Sequence, residues 1–101
     1  MPAYVAAQLT IHDPERYQRY ARAFAATMEG FDGELLVADA APEAMEGEWA
    51  HDKFVLIRFR DAAEARRWAQ SPAYQAICVD RVAATSGSAV LLHGLRDGLP
   101  A

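Results

Sequence analysis

The stretch from Asp61 to Gln75 constrains the fold more than any other part of the chain. Asp61, followed three residues later by Glu64, forms a capping-box pattern, in which each side chain satisfies a free backbone N–H at a helix start. Ser71-Pro72 then starts a second helix, because serine is a strong N-cap and proline fits the first helical position. The stretch therefore predicts one helix broken into two pieces.

The rest of the chain alternates between strand and helix patterns. A helix is predicted to start at Asp13-Pro14 and to end at Gly30, and the broken helix is predicted to end at Gly87. Residues 39–52 contain proline, glycine and several carboxylates, which predicts a long exposed connection. Strands are predicted over four apolar runs, at residues 3–11, 35–38, 54–59 and 89–93.

The order β-α-β-β-α-β is typical of an α+β, ferredoxin-like fold. We expect a four-stranded antiparallel sheet with the helices on one face and the second helix broken. The chain has 101 residues, the size of one domain. We predict a single domain over residues 1–96 and a C-terminal tail over residues 97–101.

Composition limits the possible partners. The net charge of −4 disfavours nucleic acid and anionic membranes. The sequence begins without a signal-peptide pattern and contains no apolar run of about 18 residues, so we expect a cytoplasmic protein that does not bind membranes. Hydrophobic residues make up 52% of the chain, which is enough for a core and an interface.

The second face of the predicted sheet needs a partner. On the third strand Val55 and Ile57 point one way, while Phe54 and Leu56 point the other, and no strand has a cleanly polar side. Helices cover only one face of such a sheet, and the remaining apolar area is too large for a monomer. We therefore expect a two-fold homodimer that forms through the open face of the sheet.

Motifs over nearly the whole chain carry a family resemblance: Asp13-Pro14 with Tyr17-x-x-Tyr20, Gly33-x-x-Leu36-Val37, Glu46-Gly47-x-Trp49, the 55–59 strand, Ala65-x-x-Trp68-x-x-Ser71-Pro72-x-Tyr74-Gln75, and Arg81. The chain resembles the domain of unknown function family 1330, within the dimeric α/β-barrel superfamily. The Trp68–Gln75 segment is the most specific of these motifs. The Gly30–Gly33 turn departs from the pattern, because similar chains usually carry adjacent glycines there. The resemblance implies a dimer whose sheets pack face to face, and it implies no activity.

Three residues near the helix break are candidates for a ligand site. Trp68 and Tyr74 either line a pocket between helix and sheet or pack in the core. Arg81 lies two helical turns after Tyr74, so both can point the same way. A partly buried guanidinium needs an anionic partner, and an internal carboxylate such as Asp80 is preferred over a ligand carboxylate.

Two candidates are assigned to the interior of the barrel or to a cavity. Arg58 is the charge within an otherwise apolar strand, so it either faces Gln8 or Thr10, binds an anion in the dimer cavity, or is solvated at an exposed strand end. Tyr20 belongs to an apolar helix stripe that packs in the core, and its hydroxyl could reach a cavity.

The acidic connection supplies two more candidates. His51 beside Asp52 is either a base oriented by a carboxylate or a solvated loop pair. Trp49 is a large ring in an acidic loop, and we expect it to cap a cavity or the dimer seam. The histidines lack a metal-binding spacing, and the phosphate-binding and nucleophile motifs are absent, so we expect no metal and no cofactor. The single cysteine, Cys78, is interpreted as a buried apolar side chain.

Three functions remain open because fold alone does not imply function. The first is an uncharacterised small dimeric α/β-barrel protein that binds a small, partly apolar or anionic molecule in a cavity. The second, by analogy with related superfamilies, is a cofactor-independent monooxygenase-like or isomerase-like enzyme for an aromatic or polyketide-type substrate. In that enzyme the tyrosines, His51 or an arginine would position an enolate or carboxylate. The third is a purely structural or stress-related dimer with a filled interior.

Overall fold

Residues 1–95 of the chain are described by a computed structural model. The predicted domain boundary at residue 96 and the tail at 97–101 lie outside the described residues. The elements are β1 (Ala3–Ile11), α1 (Pro14–Thr27), β2 (Gly33–Asp39), β3 (Lys53–Phe59), α2 (Ala62–Ala69), α3 (Pro72–Ala84) and β4 (Thr85–His93). Helices α2 and α3 are the two pieces of the broken helix, so the predicted element order and the break are confirmed.

The four strands form one antiparallel sheet in the order β2-β3-β1-β4. This is the strand order of the ferredoxin-like fold, which confirms the predicted architecture. The central strand β1 pairs with β3 from Ala3 opposite Phe59, and with β4 from Ala3 opposite His93. The edge strand β2 carries a bulge between Leu35 and Val37.

The predicted end of the broken helix is wrong. Helix α3 ends at Ala84 and β4 begins at Thr85, so Gly87 lies inside the strand. Its φ of 143° is favourable only for glycine, and a Cβ there would overlap the carbonyl oxygen of Gln8 on β1. This glycine therefore permits close approach of two strands instead of ending a helix.

One face of the sheet packs against the helices and forms the core. Odd-numbered residues of β1 and β3 point to this side, as strand parity predicts. From the sheet, the buried members are Leu9, Ile57 and Phe59. From the helices, the large buried side chains are Tyr17, Tyr20, Trp68 and Tyr74. The candidate residues Tyr20, Trp68 and Tyr74 thus lie where the helices meet the sheet.

The opposite face, called the open face here, is covered by no helix. It presents Tyr4, Ala6, Gln8 and Thr10 of β1, Phe54, Leu56 and Arg58 of β3, alternate residues 86–92 of β4, and Glu34, Val37 and Asp39 of β2. Three of its apolar side chains are exposed, Val90 at 50%, Leu92 at 45% and Val37 at 37%, and Tyr4, Phe54 and Leu56 are half-buried. The open face therefore offers a contiguous apolar surface across the centre of the sheet.

A buried carboxylate ties α2 to the turn before β2. The Glu64 side chain is 3% exposed and accepts hydrogen bonds from the Asp32 backbone N–H at 2.7 Å and from Arg67 Nε at 2.9 Å. Asp61 caps the Glu64 backbone N–H at 2.8 Å, as expected. The reciprocal half of the predicted capping box is wrong, because Glu64 bonds to the turn and to Arg67 instead of the helix start.

We predict that Glu64 stabilises the protein at neutral pH and that this stabilisation is lost in acid. Hydrogen bonds from Arg67 and from the Asp32 N–H lower the pKa of Glu64 to about 2, against an ordinary value of 4.5. A lowered pKa in the folded state stabilises the fold above pH 4.5 and loses that contribution as the pH falls towards 2. Chemical denaturation of wild type and Glu64→Gln should show a stability difference at pH 7 that shrinks between pH 5 and pH 2.

Glu43→Gln is the matched control, since Glu43 is exposed in the 40–52 connection. It should keep the wild-type pH dependence. If the free energy of unfolding of Glu64→Gln fell between pH 5 and pH 2 as steeply as that of wild type, the role assigned to this carboxylate would be contradicted.

Candidate functional site

The break between α2 and α3 is held by the hydroxyl of Ser71. Its Oγ donates to the Trp68 carbonyl at 2.7 Å and accepts from the Tyr74 backbone N–H at 3.2 Å. Gln75 Nε2 adds a hydrogen bond to the Ala69 carbonyl at 2.7 Å. These bonds satisfy groups that the end of α2 and the start of α3 would otherwise leave free, so Ser71 is an N-cap as expected.

The break brings the Trp68 and Tyr74 rings to a centroid distance of 4.1 Å. Trp68 is 2% exposed, and its Nε1–H donates to Thr27 Oγ1 on α1 at 3.2 Å. Its ring also contacts Phe24 of α1 and Phe59 of β3. Trp68 is therefore fixed in orientation by polar and apolar contacts on three sides.

A hydrogen-bonded network of three side chains, called the Tyr20–Tyr74–Arg81 network here, connects α1 with α3. Tyr20 Oη and Tyr74 Oη lie 3.0 Å apart, and Arg81 Nε donates to Tyr74 Oη at 3.3 Å. Burial raises the pKa of the Tyr20 hydroxyl, and its contact with Tyr74 raises it further, so this phenol stays protonated at neutral pH. The Tyr20–Tyr74–Arg81 network thus brings hydroxyl donors and a permanent cation together at one place.

Arg81 lacks the internal carboxylate partner that the sequence favours. Asp80 instead accepts from Arg16 Nε of α1 at 2.7 Å, with Arg19 nearby at 3.8 Å. Apart from Tyr74, Arg81 contacts the sulfur of Cys78 at 3.4 Å. Burial lowers the pKa of Arg81, but these two contacts outweigh burial and raise it overall, so the guanidinium is charged without a carboxylate among the described residues.

These residues border a cavity of about 270 Å³ between the helices and the sheet, called the helix–sheet cavity here. Its walls are mostly apolar. The lining residues are Val5, Ala7, Leu9, Tyr17, Tyr20, Ala21, Phe24, Leu35, Ala38, Lys53, Val55, Ile57, Trp68, Tyr74, Arg81 and Ala89. Leu35 of the edge strand β2 is 46% exposed, so the cavity reaches the surface at that edge.

Lys53 is a site residue that the candidate list from the sequence does not contain. Its Nζ lies 5.1 Å from the centre of the Tyr17 ring, and both residues line the helix–sheet cavity. Burial raises the pKa of the Tyr17 hydroxyl, and the charge of Arg81 partly opposes this effect. Strand parity could have identified Lys53, because it shares the orientation of Val55 and Ile57 on β3.

The remaining candidates lie away from this cavity. His51 Nδ1 is 3.1 Å from Thr10 Oγ1, and Thr10 belongs to the open face. Trp49 packs on His51 and on Phe54, also at the open face. The predicted His51–Asp52 pair is not formed, because Asp52 accepts from the Ile11 backbone N–H at 2.9 Å.

Arg58 also lies on the open face. It pairs with Glu34 of β2 at 3.4 Å and stands opposite Tyr4 in the β1–β3 register. Of the alternatives given for Arg58, the contact with Gln8 or Thr10 is not formed, because Gln8 stands opposite Phe54 and bonds to Ser88 of β4, while Thr10 contacts His51. The structure thus groups Tyr20, Trp68, Tyr74 and Arg81 on one side of the sheet and Trp49, His51 and Arg58 on the other.

Within residues 1–95, no three His, Cys, Asp or Glu side chains are grouped to hold a metal ion. In the same part of the chain, no helix has both the length and the apolar character needed to cross a bilayer.

Comparison with known families and structures supports the architecture. The family model for the domain of unknown function DUF1330 matches residues 2–95. No curated protein sequence matches the chain significantly. A protein of unknown function from Rhodopseudomonas palustris has a similar structure, with a TM-score of 0.78 and 16% identity, over 94% of this chain and 83% of that chain.

Two further solved structures are similar over almost their whole length. SnoaB from Streptomyces nogalater, a cofactor-independent oxygenase, has a TM-score of 0.66 and 18% identity, over 99% of this chain and 98% of that chain. A dimeric ferredoxin-like protein of unknown function from Jannaschia sp. has a TM-score of 0.67 and 17% identity, over 91% of this chain and 96% of that chain. At sequence identities of 16–18%, the structural similarity shows only that the fold is shared.

Proposed function

The chain belongs to the DUF1330 family of domains of unknown function, and on that premise we propose that it binds a small, largely apolar molecule in the helix–sheet cavity. The observation that carries this proposal is the cavity itself, an apolar space next to the Tyr20–Tyr74–Arg81 network. Apolar walls with a few convergent polar groups are typical of small-molecule sites. A structural dimer with a filled interior would not need such a space.

The size of the cavity limits the ligand. A volume of about 270 Å³ lies just below the range of about 300–1,000 Å³ that holds drug-sized ligands. A molecule of one or two rings fits this volume better than a large polycyclic compound. The aromatic side chains of Phe24, Trp68 and Tyr74 favour a flat ligand, because such rings stack or meet edge to face.

We further propose that the protein is a homodimer that joins through the open face. The apolar side chains Val90, Leu92 and Val37 are exposed there, and a monomer rarely leaves such a contiguous patch uncovered. The similar protein from Jannaschia sp. is a dimer of the same fold. Since the helix–sheet cavity lies on the other face, each protomer would keep a complete cavity in this dimer.

A second candidate function is cofactor-independent catalysis in the same cavity. Arg81 and the Tyr20–Tyr74 hydroxyl pair provide donors that could stabilise an enolate or phenolate oxygen of an aromatic substrate. The similarity to SnoaB, a cofactor-independent oxygenase, raises interest in this alternative through fold analogy.

We predict that filling the cavity weakens ligand binding. Ala7→Phe places a ring into the space that Ala7 lines on β1, and it should weaken every cavity ligand by about tenfold or more, since the ligand and the ring would compete for one volume. Ligand-observed NMR with a library of one- and two-ring aromatic compounds would measure this loss. Ala26→Phe on the exposed side of α1 is the matched control and should bind normally. Ligands that bind both variants equally would show that the cavity is not their site.

We predict that a charge on the open face dissociates the dimer. Val90→Lys would bury an unpaired ammonium between the sheets, which costs several kcal/mol at an interface. Light scattering coupled to size-exclusion chromatography should give twice the monomer mass for wild type and the monomer mass for the variant. Val79→Lys is the control, because Val79 is similarly exposed, at 60%, but lies on α3. A dimeric Val90→Lys protein would place the interface elsewhere.

The two candidate functions make different predictions for Tyr74→Phe, which keeps the ring and removes the hydroxyl. An enzyme should lose turnover by about 100-fold or more while it still binds ligand, because the hydroxyl acts mainly in the transition state. Oxygen uptake and NMR with enolisable aromatic ketones and phenols would detect oxygenation and isomerisation. Wild-type protein that binds these compounds and converts none of them would be a binding protein for this class.

A further inference from the structure

The charges that line the helix–sheet cavity are all positive. Lys53 and Arg81 are lining residues, and no aspartate or glutamate is among the residues that border this space. Among the described residues, neither cation has a carboxylate within salt-bridge distance. Partly buried cations are normally paired, so this arrangement leaves room for an anion that the chain itself does not supply.

Tyr17 lines the same cavity and interacts with both cations. Lys53 Nζ is 5.1 Å from the centre of its ring, and the charge of Arg81 acts on its hydroxyl. The residue is 6% exposed, and its hydroxyl makes no hydrogen bond to another described residue, yet no buried polar side-chain atom in residues 1–95 lacks a partner, so this oxygen is open to the cavity or to solvent. Because Tyr17 lines the cavity and its hydroxyl is accessible, the hydroxyl provides one more donor for a ligand.

We propose that the ligand is a small aromatic monoanion whose charged oxygens lie among Lys53, Tyr17 and Arg81. This inference rests on the proposed function of the helix–sheet cavity and adds the charge class of the ligand. The aromatic part would pack against Phe24 and Trp68, which line the same space. Carboxylates and phenolates share the required chemistry, since both present an anionic oxygen beside a flat apolar body.

The first experiment compares two probes of nearly equal shape, 2-naphthoate and 2-naphthamide. The full-length protein is titrated with each, and the Trp68 indole N–H signal is followed by ¹H–¹⁵N NMR. The chain has two tryptophans, so Trp49→Phe assigns the Trp68 signal and changes only a residue near the open face. We expect 2-naphthoate to shift the Trp68 signal and to bind about tenfold or more tightly than the amide, because charge-assisted hydrogen bonds are the stronger ones.

The second experiment removes the cations one at a time. Lys53→Met and Arg81→Met should each weaken 2-naphthoate by about tenfold and leave 2-naphthamide almost unchanged. Arg66→Met is the matched control, because Arg66 is exposed on α2 and its loss changes the net charge equally. Arg81→Met also removes a hydrogen bond to Tyr74, so Lys53→Met decides the outcome if the Arg81 variant does not fold.

The outcomes separate this inference from the proposed function beneath it. If 2-naphthamide shifts the Trp68 signal as strongly and binds as tightly as 2-naphthoate, the cavity binds ligands but the anion proposal is overturned. The same holds if Lys53→Met binds 2-naphthoate like wild type. If neither probe shifts the Trp68 signal at millimolar concentration, cavity binding of aromatic molecules is overturned, and the charge class with it.

Discussion

The hydroxyl of Ser71 determines how the second half of the helical layer is arranged. It bonds to the last turn of α2 and the first turn of α3, so the chain changes direction without leaving either helix end unsatisfied. In a continuous helix, residues 68 and 74 would lie about 120° apart around the axis, because each residue turns by about 100°. Their rings could not then meet at 4.1 Å. The contact between these two cavity-lining rings therefore depends on the break, as does the reach of the Tyr74 hydroxyl to Tyr20 on α1.

Side chains alternate between the two faces of the sheet, so the proposed ligand site and the proposed dimer interface lie on opposite faces. Lys53 and Arg58 are five residues apart on β3, so their side chains leave opposite faces. Lys53 borders the helix–sheet cavity, whereas Arg58 pairs with Glu34 on the open face. A ligand and a second protomer would thus occupy different sides of one layer, and neither would have to displace the other. Changes on the open face should accordingly alter self-association without changing the cavity wall.

The sequence predicts what depends on local pattern and fails where distant elements meet. The N-caps, strand parity and the two-turn separation of Tyr74 and Arg81 are local, and the structure agrees with each of them. The partner of Asp80 is not local: Arg16 on α1 takes it because α1 packs along α3. Glu64 likewise leaves its own helix start for the Asp32 N–H, which only the folded turn brings within reach. Lys53 lies just before the predicted 54–59 strand, and only the packed helices make its side chain part of a cavity.

The charges at the cavity are hard to explain by stability. Elsewhere in the chain, partly buried charges find partners, as Asp80 does with Arg16 and Glu64 does with Arg67. Arg81 is one residue from Asp80 on the same helix, yet it points away from that carboxylate and towards the cavity. Its contacts with Tyr74 and Cys78 offset the cost of burial, but neither contact is with a carboxylate. Local rules are usually broken at functional sites, and the stability lost there is supplied by the rest of the fold. The guanidinium of Arg81, beside an apolar space and without a carboxylate among the described residues, is the observation on which the proposed anionic ligand rests.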